Sequence, residues 1–259
     1  MTQRSRPRSS RLRGLALAWS LAIACSPLAC LAQQKPAEKL IDPRLRADAT
    51  ALVAERGPGL GFDRYRAVDV ELRDEAFDGS GPLSPDAHGR ATLQQRMTLR
   101  MIGGEVEWRV ECVVQRRVPL DGDFAAELDE TRDEVAVACQ IASGEPAASE
   151  GQRWRLELGG TLGGDLIGEL RSVDEREAPV ELTLELLLWY QLMKMVRRPL
   201  PTPLVQIRGS LGGRSGTQAA MIFARPERIW FDARLQARDG EVLLASLIAL
   251  RLLPIGLET

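Results

Sequence analysis

The feature that most constrains the fold of this chain is the alternation of apolar and polar residues along several short segments. In one of them, Val68, Val70 and Leu72 alternate with charged side chains. Successive side chains of a β-strand point to opposite faces, so this period of two predicts a strand with one wet face. Five further segments are predicted strands, at residues 92–101, 106–115, 135–141, 154–158 and 180–186. Together they predict a sheet of short strands with glycine-containing turns.

The best-defined local element is a β-hairpin formed by residues 92–101 and 106–115. Gly103 and Gly104 lie between these segments, and a two-residue turn at the glycines opposes apolar residues to apolar residues across the hairpin. The predicted pairs are Ile102 with Glu105, Met101 with Val106, Leu99 with Trp108, and Met97 with Val110. A register shifted by one residue would destroy this match, because it moves every side chain to the other face.

Helical spacing is found in two segments that flank these strands. Asp42 and Pro43 are typical first residues of a helix, and apolar residues then recur at helical spacing until Gly57 ends the pattern. The recurring apolar residues are Leu45, Ala49, Leu52 and Val53. A second helix is predicted over residues 187–198, where polar residues line one side and Pro199 follows.

The C-terminal segment allows two structures. A hairpin with its turn at residues 239–240 would oppose Leu235 to Leu244. Alternatively, Asp239 caps a helix through Val242–Leu253, and the leucine- and alanine-rich composition of this segment favours the helix over a strand. In either structure the segment is expected to be buried on nearly all sides.

These patterns together predict an α+β fold. We expect a curved antiparallel sheet of short strands, with an N-terminal helix and one or two further helices in the C-terminal half. Glycines and prolines make residues 78–90 a loop. After a secretion signal at residues 1–32, residues 33–259 are expected to form a single exported domain, or two smaller ones divided near residues 143–152.

The secretion signal is indicated by charge and by the length of an apolar run. The first thirteen residues contain five arginines and no acidic residue, and eleven mostly apolar residues follow at positions 14–24. A membrane-spanning helix needs about twenty apolar residues, so this shorter run is typical of a secretory signal. The protein is therefore expected in the periplasm or cell envelope.

Two ways of processing this signal fit the residues. Cleavage after Ala32 leaves small side chains near the cut bond and gives a soluble product that begins at Gln33. The segment Leu21-Ala-Ile-Ala-Cys25 resembles the lipobox of bacterial lipoproteins, and this resemblance implies lipidation of Cys25. A lipid anchor at Cys25 is the only membrane contact that the sequence predicts.

Removal of residues 1–32 makes the protein distinctly acidic. Five of the 34 basic residues and none of the 36 acidic residues lie in this segment, so the remainder carries a net charge of −7. Such a protein is not expected to bind nucleic acid or anionic lipid non-specifically.

Cys112 and Cys139 are predicted to form a disulfide. Each lies in a predicted strand on the face that carries the apolar residues, so both sulfur atoms should point into the same core. Export brings the protein to an oxidising compartment, and two cysteines beyond residue 32 leave no unpaired thiol. The bond also requires neighbouring strands with these residues opposed. Otherwise both residues are buried free cysteines.

The sequence contains no complete catalytic set. His88 is the only histidine, which excludes zinc sites built from several imidazoles, and no metal site or cofactor is predicted. The acidic residues from Asp121 to Glu134 depart from the calcium-loop pattern, and no serine nucleophile elbow or phosphate loop is present. A catalytic pair of carboxylates stays open, because such a pair must be close in space rather than in sequence.

The sequence therefore favours a non-enzymatic binding or structural module of the envelope, with an unknown partner or ligand. Two alternatives stay open: a carboxylate-dependent hydrolase acting on envelope polymers, and a carrier of an apolar ligand within the curved sheet. Two facing acids in a cleft would favour the hydrolase, whereas a dry apolar cavity would favour the carrier.

Overall fold

The computed structural model describes ten parts of the chain, in which twelve strands and two helices lie. These parts are residues 38–48, 51–55, 59–74, 90–119, 134–144, 151–161, 166–173, 181–191, 200–211 and 213–255. The strands are β1 (Leu52–Glu55), β2 (Gly61–Phe62), β3 (Tyr65–Asp74), β4 (Arg90–Ile102), β5 (Trp108–Pro119), β6 (Glu134–Ser143), β7 (Arg153–Thr161), β8 (Leu166–Ser172), β9 (Glu181–Gln191), β10 (Leu200–Leu211), β11 (Arg214–Ile222) and β12 (Arg228–Phe231). The helices are α1 (Pro43–Asp48) and α2 (Ala237–Leu252).

The strands form one antiparallel sheet that closes into a barrel. Each strand from β2 to β11 pairs with the strands before and after it in the chain, and β1 pairs with β12 to complete the ring. Helix α2 lies inside the ring, because it contacts β5 and β6 on one part of the wall and β10 on another. Its residues Glu241–Leu250 are all buried. The predicted C-terminal helix, buried on nearly all sides, is thereby confirmed in place of the hairpin, but it begins at Ala237, so Asp239 lies in its first turn and is not its cap.

The predicted α+β class is wrong, since the described residues form mainly one large antiparallel sheet accompanied by two short helices. At the N-terminal side, helix α1 ends at Asp48 instead of continuing towards Gly57. Leu52 and Val53, which were expected on that helix, belong to β1 and pair with β12. Pairing with a neighbouring strand outweighs the weak helical preference of such a short segment.

The helix predicted over residues 187–198 is also wrong where the structure describes it. Residues 187–191 continue strand β9 and pair with residues of β10. Residues 192–198 lie outside the described residues. The leucine-rich segment whose composition favoured a helix is therefore part of a strand that pairs on both sides. Continuous apolar runs are common in such strands.

The predicted hairpin of β4 and β5 is confirmed, but its register differs from the prediction by two residues. The observed pairs are Met101 with Trp108, Leu99 with Val110, and Met97 with Cys112. A shift of two residues leaves every side chain on its predicted face, so the inner face stays apolar. The turn spans residues 103–107, and Gly103 packs closely against the turn between β2 and β3: a Cβ atom on Gly103 would lie 2.0 Å from the Arg64 carbonyl oxygen.

The barrel wall has an apolar inner face and a largely charged outer face between β3 and β8. Strand β6, predicted from residues 135–141, alternates between exposed and buried side chains from Glu134 to Ile141. Examples of outer ion pairs are Arg96 with Glu111 and Arg155 with Glu157. Such exposed pairs contribute little to stability, whereas the inner side chains share one apolar core with α2.

Helix α1 lies on the outside of the barrel against β11 and β12. The Asp42 carboxylate accepts a hydrogen bond from the Arg44 backbone N–H (2.9 Å), which confirms the predicted cap. Its other oxygen accepts a hydrogen bond from Thr217 Oγ1 of β11 (3.2 Å). Ile41 and Leu45 pack on the outer-wall residues Leu204, Ala220, Ile222 and Trp230. These contacts cover part of the outer wall with the N-terminal segment.

Candidate ligand-binding crevice

A crevice of about 320 Å³ opens where helix α2 enters the barrel. Most of its apolar lining side chains are partly or fully buried and are called its inner wall, and its polar lining side chains, most of them exposed, are called its lip. The apolar residues include Leu52, Phe231, Leu235 and Leu244, and the polar ones include Asp63, Arg64 and Gln236. Small-molecule pockets are usually apolar with a few polar groups, and the mouths of β-barrels are a common place for them.

The crevice lies beside a part of the barrel wall that is made of very short strands. Strands β12, β1 and β2, which we call the short wall, contain 4, 4 and 2 residues. Strands β4 to β7, the long wall, contain 13, 12, 10 and 9 residues. The connection from β12 to α2, residues 232–236, contributes to the crevice lining. The start of α2 therefore lines the crevice beside the short wall, whereas residues 241–250 are buried.

A buried carboxylate fixes the start of α2 relative to the long wall. Glu241 is 1% exposed and accepts hydrogen bonds from the backbone N–H of Glu105 (2.6 Å) and from Trp108 Nε1 (3.0 Å). A Cβ atom at Gly104 would lie 2.4 Å from the Glu241 carboxylate. Gly104 therefore lets the β4–β5 turn approach the helix closely, and does not form the tight two-residue turn expected from the sequence.

An ion pair fixes the other end of α2 to the short wall. Arg251 Nη2 and Glu227 Oε1 lie 2.8 Å apart, and their side chains are 11% and 9% exposed. Glu227 immediately precedes β12, and its backbone carbonyl accepts a hydrogen bond from the Ala54 N–H of β1 (2.9 Å). Arg251 also lies in the last turn of α2, where the helix dipole favours a cation.

The charges around the lip of the crevice are paired. Arg64 donates a hydrogen bond to the Tyr65 hydroxyl (3.1 Å), and this contact is the main cause of its raised pKa. Glu241 and Asp63 also lie near enough to Arg64 to favour its charged form. Asp232 accepts hydrogen bonds from the Arg234 guanidinium (2.8 and 2.7 Å), which hold the pKa of Asp232 below its usual value. Asp232 is therefore ionised at neutral pH.

A second depression, of about 460 Å³, lies at the opposite end of β4, β5 and β6. Its described lining residues are Thr92, Gln115, Glu134, Val135, Ala136 and Gly160. Val135 is the one large apolar side chain among them, and it is buried in the core. This depression offers a ligand little apolar surface, so the crevice at α2 is the better candidate site.

Cys112 and Cys139 lie opposite each other on neighbouring strands β5 and β6, as the disulfide prediction required. Their Sγ atoms are 2.08 Å apart, which is the distance of a disulfide bond. Both side chains are buried on the inner face of the long wall. The burial of both cysteines favours a structural role over a reactive one, because reactive cysteines are usually accessible to solvent.

The other residues singled out by the sequence lie outside the described residues. They are Cys25, His88 and the acidic residues from Asp121 to Asp133. Glu134 begins β6. Among the residues that the structure describes, no group of three or more histidine, cysteine or carboxylate side chains is arranged to hold a metal ion.

Sequence reasoning missed the residues that build the crevice. They come from residues 52–65 and 231–244, which are far apart in the chain. One signal for the contacts behind the crevice was present, because Glu241 is the only acidic residue in the mostly apolar run up to Leu253. A buried carboxylate requires hydrogen-bond partners, so an isolated acid in such a run indicates a specific tertiary contact.

The chain matches no protein-family model, no curated protein and no solved structure. The function of the chain is therefore inferred from the barrel and its crevice alone. None of the helices within the described residues is long and apolar enough to cross a membrane.

Proposed function

We propose that this protein is an exported, non-enzymatic module of the cell envelope that binds a small molecule at the mouth of its barrel. The observation that carries the proposal is the crevice of about 320 Å³, with its apolar wall and hydrogen-bonding lip. The arginine-rich start and the short apolar run support export. A buried cysteine pair at bonding distance is compatible with an oxidising compartment.

The alternative of a carboxylate-dependent hydrolase has weaker support. Asp63 and Asp232 both line the crevice, but such an enzyme needs one carboxyl group that can donate a proton. Arg234 stabilises the ionised form of Asp232, which suits only the base or nucleophile of such a pair, and Asp63 is exposed instead of lying in the apolar surroundings that favour a protonated carboxyl. Binding uses the same residues without requiring a proton donor.

The alternative of a carrier with an apolar cavity inside the sheet meets a different obstacle. Helix α2 occupies the interior of the barrel, and its residues Glu241–Leu250 are buried against the wall. A ligand in the lumen would have to displace this helix. The crevice beside the start of α2 provides apolar surface without that displacement.

Binding of the neutral naphthalene dye Prodan to the protein without residues 1–32 tests the proposal. We expect a saturable increase in dye fluorescence with one site per chain. The variant Leu235→Arg should weaken binding by at least about tenfold, because it places a charge on the apolar wall. The matched control Ile167→Arg alters an outer side chain of β8 that is 61% exposed, and should bind normally. Absence of saturable binding by the folded protein, or an equal loss in both variants, would refute the proposal.

A further inference from the structure

Gly240 occupies a helical position that neither its helix nor its neighbours require to be glycine. It is the fourth residue of α2, and its N–H donates to the Gln236 carbonyl (3.0 Å) as other residues would. Apart from its chain neighbours and the backbone of its own helix, a Cβ atom at Gly240 would have no described atom within 4 Å. Glycine is the least favourable helix residue after proline. Gly240 also lines the crevice, so open space at its Cβ position adjoins the crevice.

The crevice has room for a compact ligand and ends against the helix. Leu244, one helical turn beyond Gly240, lines the crevice and is itself buried. The residues that follow it fill the barrel interior. A long acyl chain therefore finds no continuation into the lumen, and about 320 Å³ is near the lower end of the range for small-molecule pockets, about 300–1,000 Å³.

The crevice lining suits an aromatic ring without a net charge. Tyr65 and Phe231 both line it, and aromatic side chains pack favourably against other rings. Glu241 and Asp63 lie near enough to Arg64 to favour its charged form, and Asp232 is paired with Arg234, so the cation and Asp232 each have a nearby opposite charge. An ionic ligand would lose its hydration without gaining a dedicated partner.

We infer that the crevice binds a compact, neutral aromatic molecule with a hydroxyl or amide group, and that its ring lies against the helix backbone at Gly240. The inference rests on the proposed function and adds the ligand class and a specificity-determining residue. The ring takes the space that a larger residue at position 240 would fill. The polar group lies at the lip, where Gln236 offers both a donor and an acceptor.

Displacement of Prodan by four probes tests the ligand class. They are 2-naphthalenemethanol, 2-naphthoate, 2-naphthylmethylammonium and 1-dodecanol. The first three share one ring system and differ in charge, and the fourth is a neutral alcohol with a long chain. We expect 2-naphthalenemethanol to displace the dye at concentrations at least about tenfold lower than the other three.

The variant Gly240→Leu tests the position of the ring. It should weaken binding of 2-naphthalenemethanol by at least about tenfold, because leucine fills the space beside the helix. The control Gly159→Leu lies on β7, away from the crevice, and its Cβ atom would meet only the Val135 carbonyl oxygen at 4.0 Å. It should bind normally. If Gly240→Leu does not fold, Gly240→Ala serves instead, with a smaller expected loss of affinity.

The outcomes separate this inference from the proposed function. Failure of Prodan to bind the wild-type protein would refute both the proposed function and the inferred ligand class. If Prodan binds but 2-naphthoate or 1-dodecanol displaces it as well as 2-naphthalenemethanol does, the ligand class is wrong and the binding site stands. Normal binding by the folded position-240 variant would show that the ring does not lie at the helix.

Discussion

The long wall and the short wall of the barrel differ in how many backbone pairs join their neighbouring strands. In the long wall, β4 and β5 pair continuously from Arg90 to Met101, so backbone hydrogen bonds dominate. In the short wall, β1 pairs with β12 at only Leu52 and Val53, and with β2 at only Ala54 and Glu55. The short wall therefore has little backbone ladder of its own, and the crevice lies beside it.

Side chains supplement the sparse backbone pairing of the short wall. The Arg251–Glu227 pair joins the end of α2 to the residue before β12. Further ion pairs connect Arg228 with Glu38 and Arg66 with Glu55. The comparison teaches that side-chain ion pairs can supplement a part of a barrel wall in which few backbone pairs join neighbouring strands. The predictions below test each type of contact in turn.

The largest effect is expected from Arg251→Met in the short wall. The substitution leaves the Glu227 carboxylate buried without its cation, which typically costs about 3–5 kcal/mol. The free energy of unfolding, measured by urea denaturation, should fall by this amount. The double variant Arg251→Met/Glu227→Leu removes both charges and should recover most of the loss. Wild-type stability of the single variant would show that the short wall does not depend on this pair.

In the long wall, we predict that Cys112 and Cys139 are joined by a disulfide in the exported protein. A bond between residues separated by 27 positions should stabilise the fold by about 3 kcal/mol in the chain-entropy model. Reduction should therefore lower the free energy of unfolding, whereas the Cys112→Ala/Cys139→Ala variant should not respond to reductant. Two reactive thiols in denatured, unreduced protein that begins at Gln33 would contradict the bond.

The sequence predicted the faces of the long wall better than its exact pairing. Alternation identified β4, β5, β6 and β7, because each has a buried and an exposed face. The register of the β4–β5 hairpin was wrong by two residues, since the turn accommodates Glu241 from a helix 136 positions later in the chain. A contact so distant leaves no local signal in the turn residues.

The sequence predicted the short wall and the crevice poorly. Two to four residues are too few to show a period, so Leu52 and Val53 were assigned to a helix and β2 was not predicted. The crevice requires that these residues meet the start of α2, which only closure of the barrel brings about. The buried character of α2 was predictable from its composition, but its place inside a ring of strands was not.

A smaller effect is expected from Glu241→Leu, which disconnects α2 from the long wall. The Trp108 indole N–H and the Glu105 backbone N–H lose their acceptor, which should cost about 2 kcal/mol. The variant Glu241→Gln keeps one acceptor oxygen and should lose less. Urea denaturation measures both, and equal losses would mean that the hydrogen bonds are not what fixes the start of the helix.

The smallest effect, and the one with opposite sign, is expected from Gly240→Ala. Gly240 lies in a helix, and beyond its chain neighbours and the backbone of that helix a Cβ atom there meets no described atom within 4 Å. Alanine should therefore raise the free energy of unfolding by about 1 kcal/mol through its better helix propensity. The same substitution at Gly104 should lower it, because the new Cβ atom would lie 2.4 Å from the buried Glu241 carboxylate. A stability loss at both positions would mean that the space beside Gly240 is filled by the protein itself, and the crevice would not be open to a ligand.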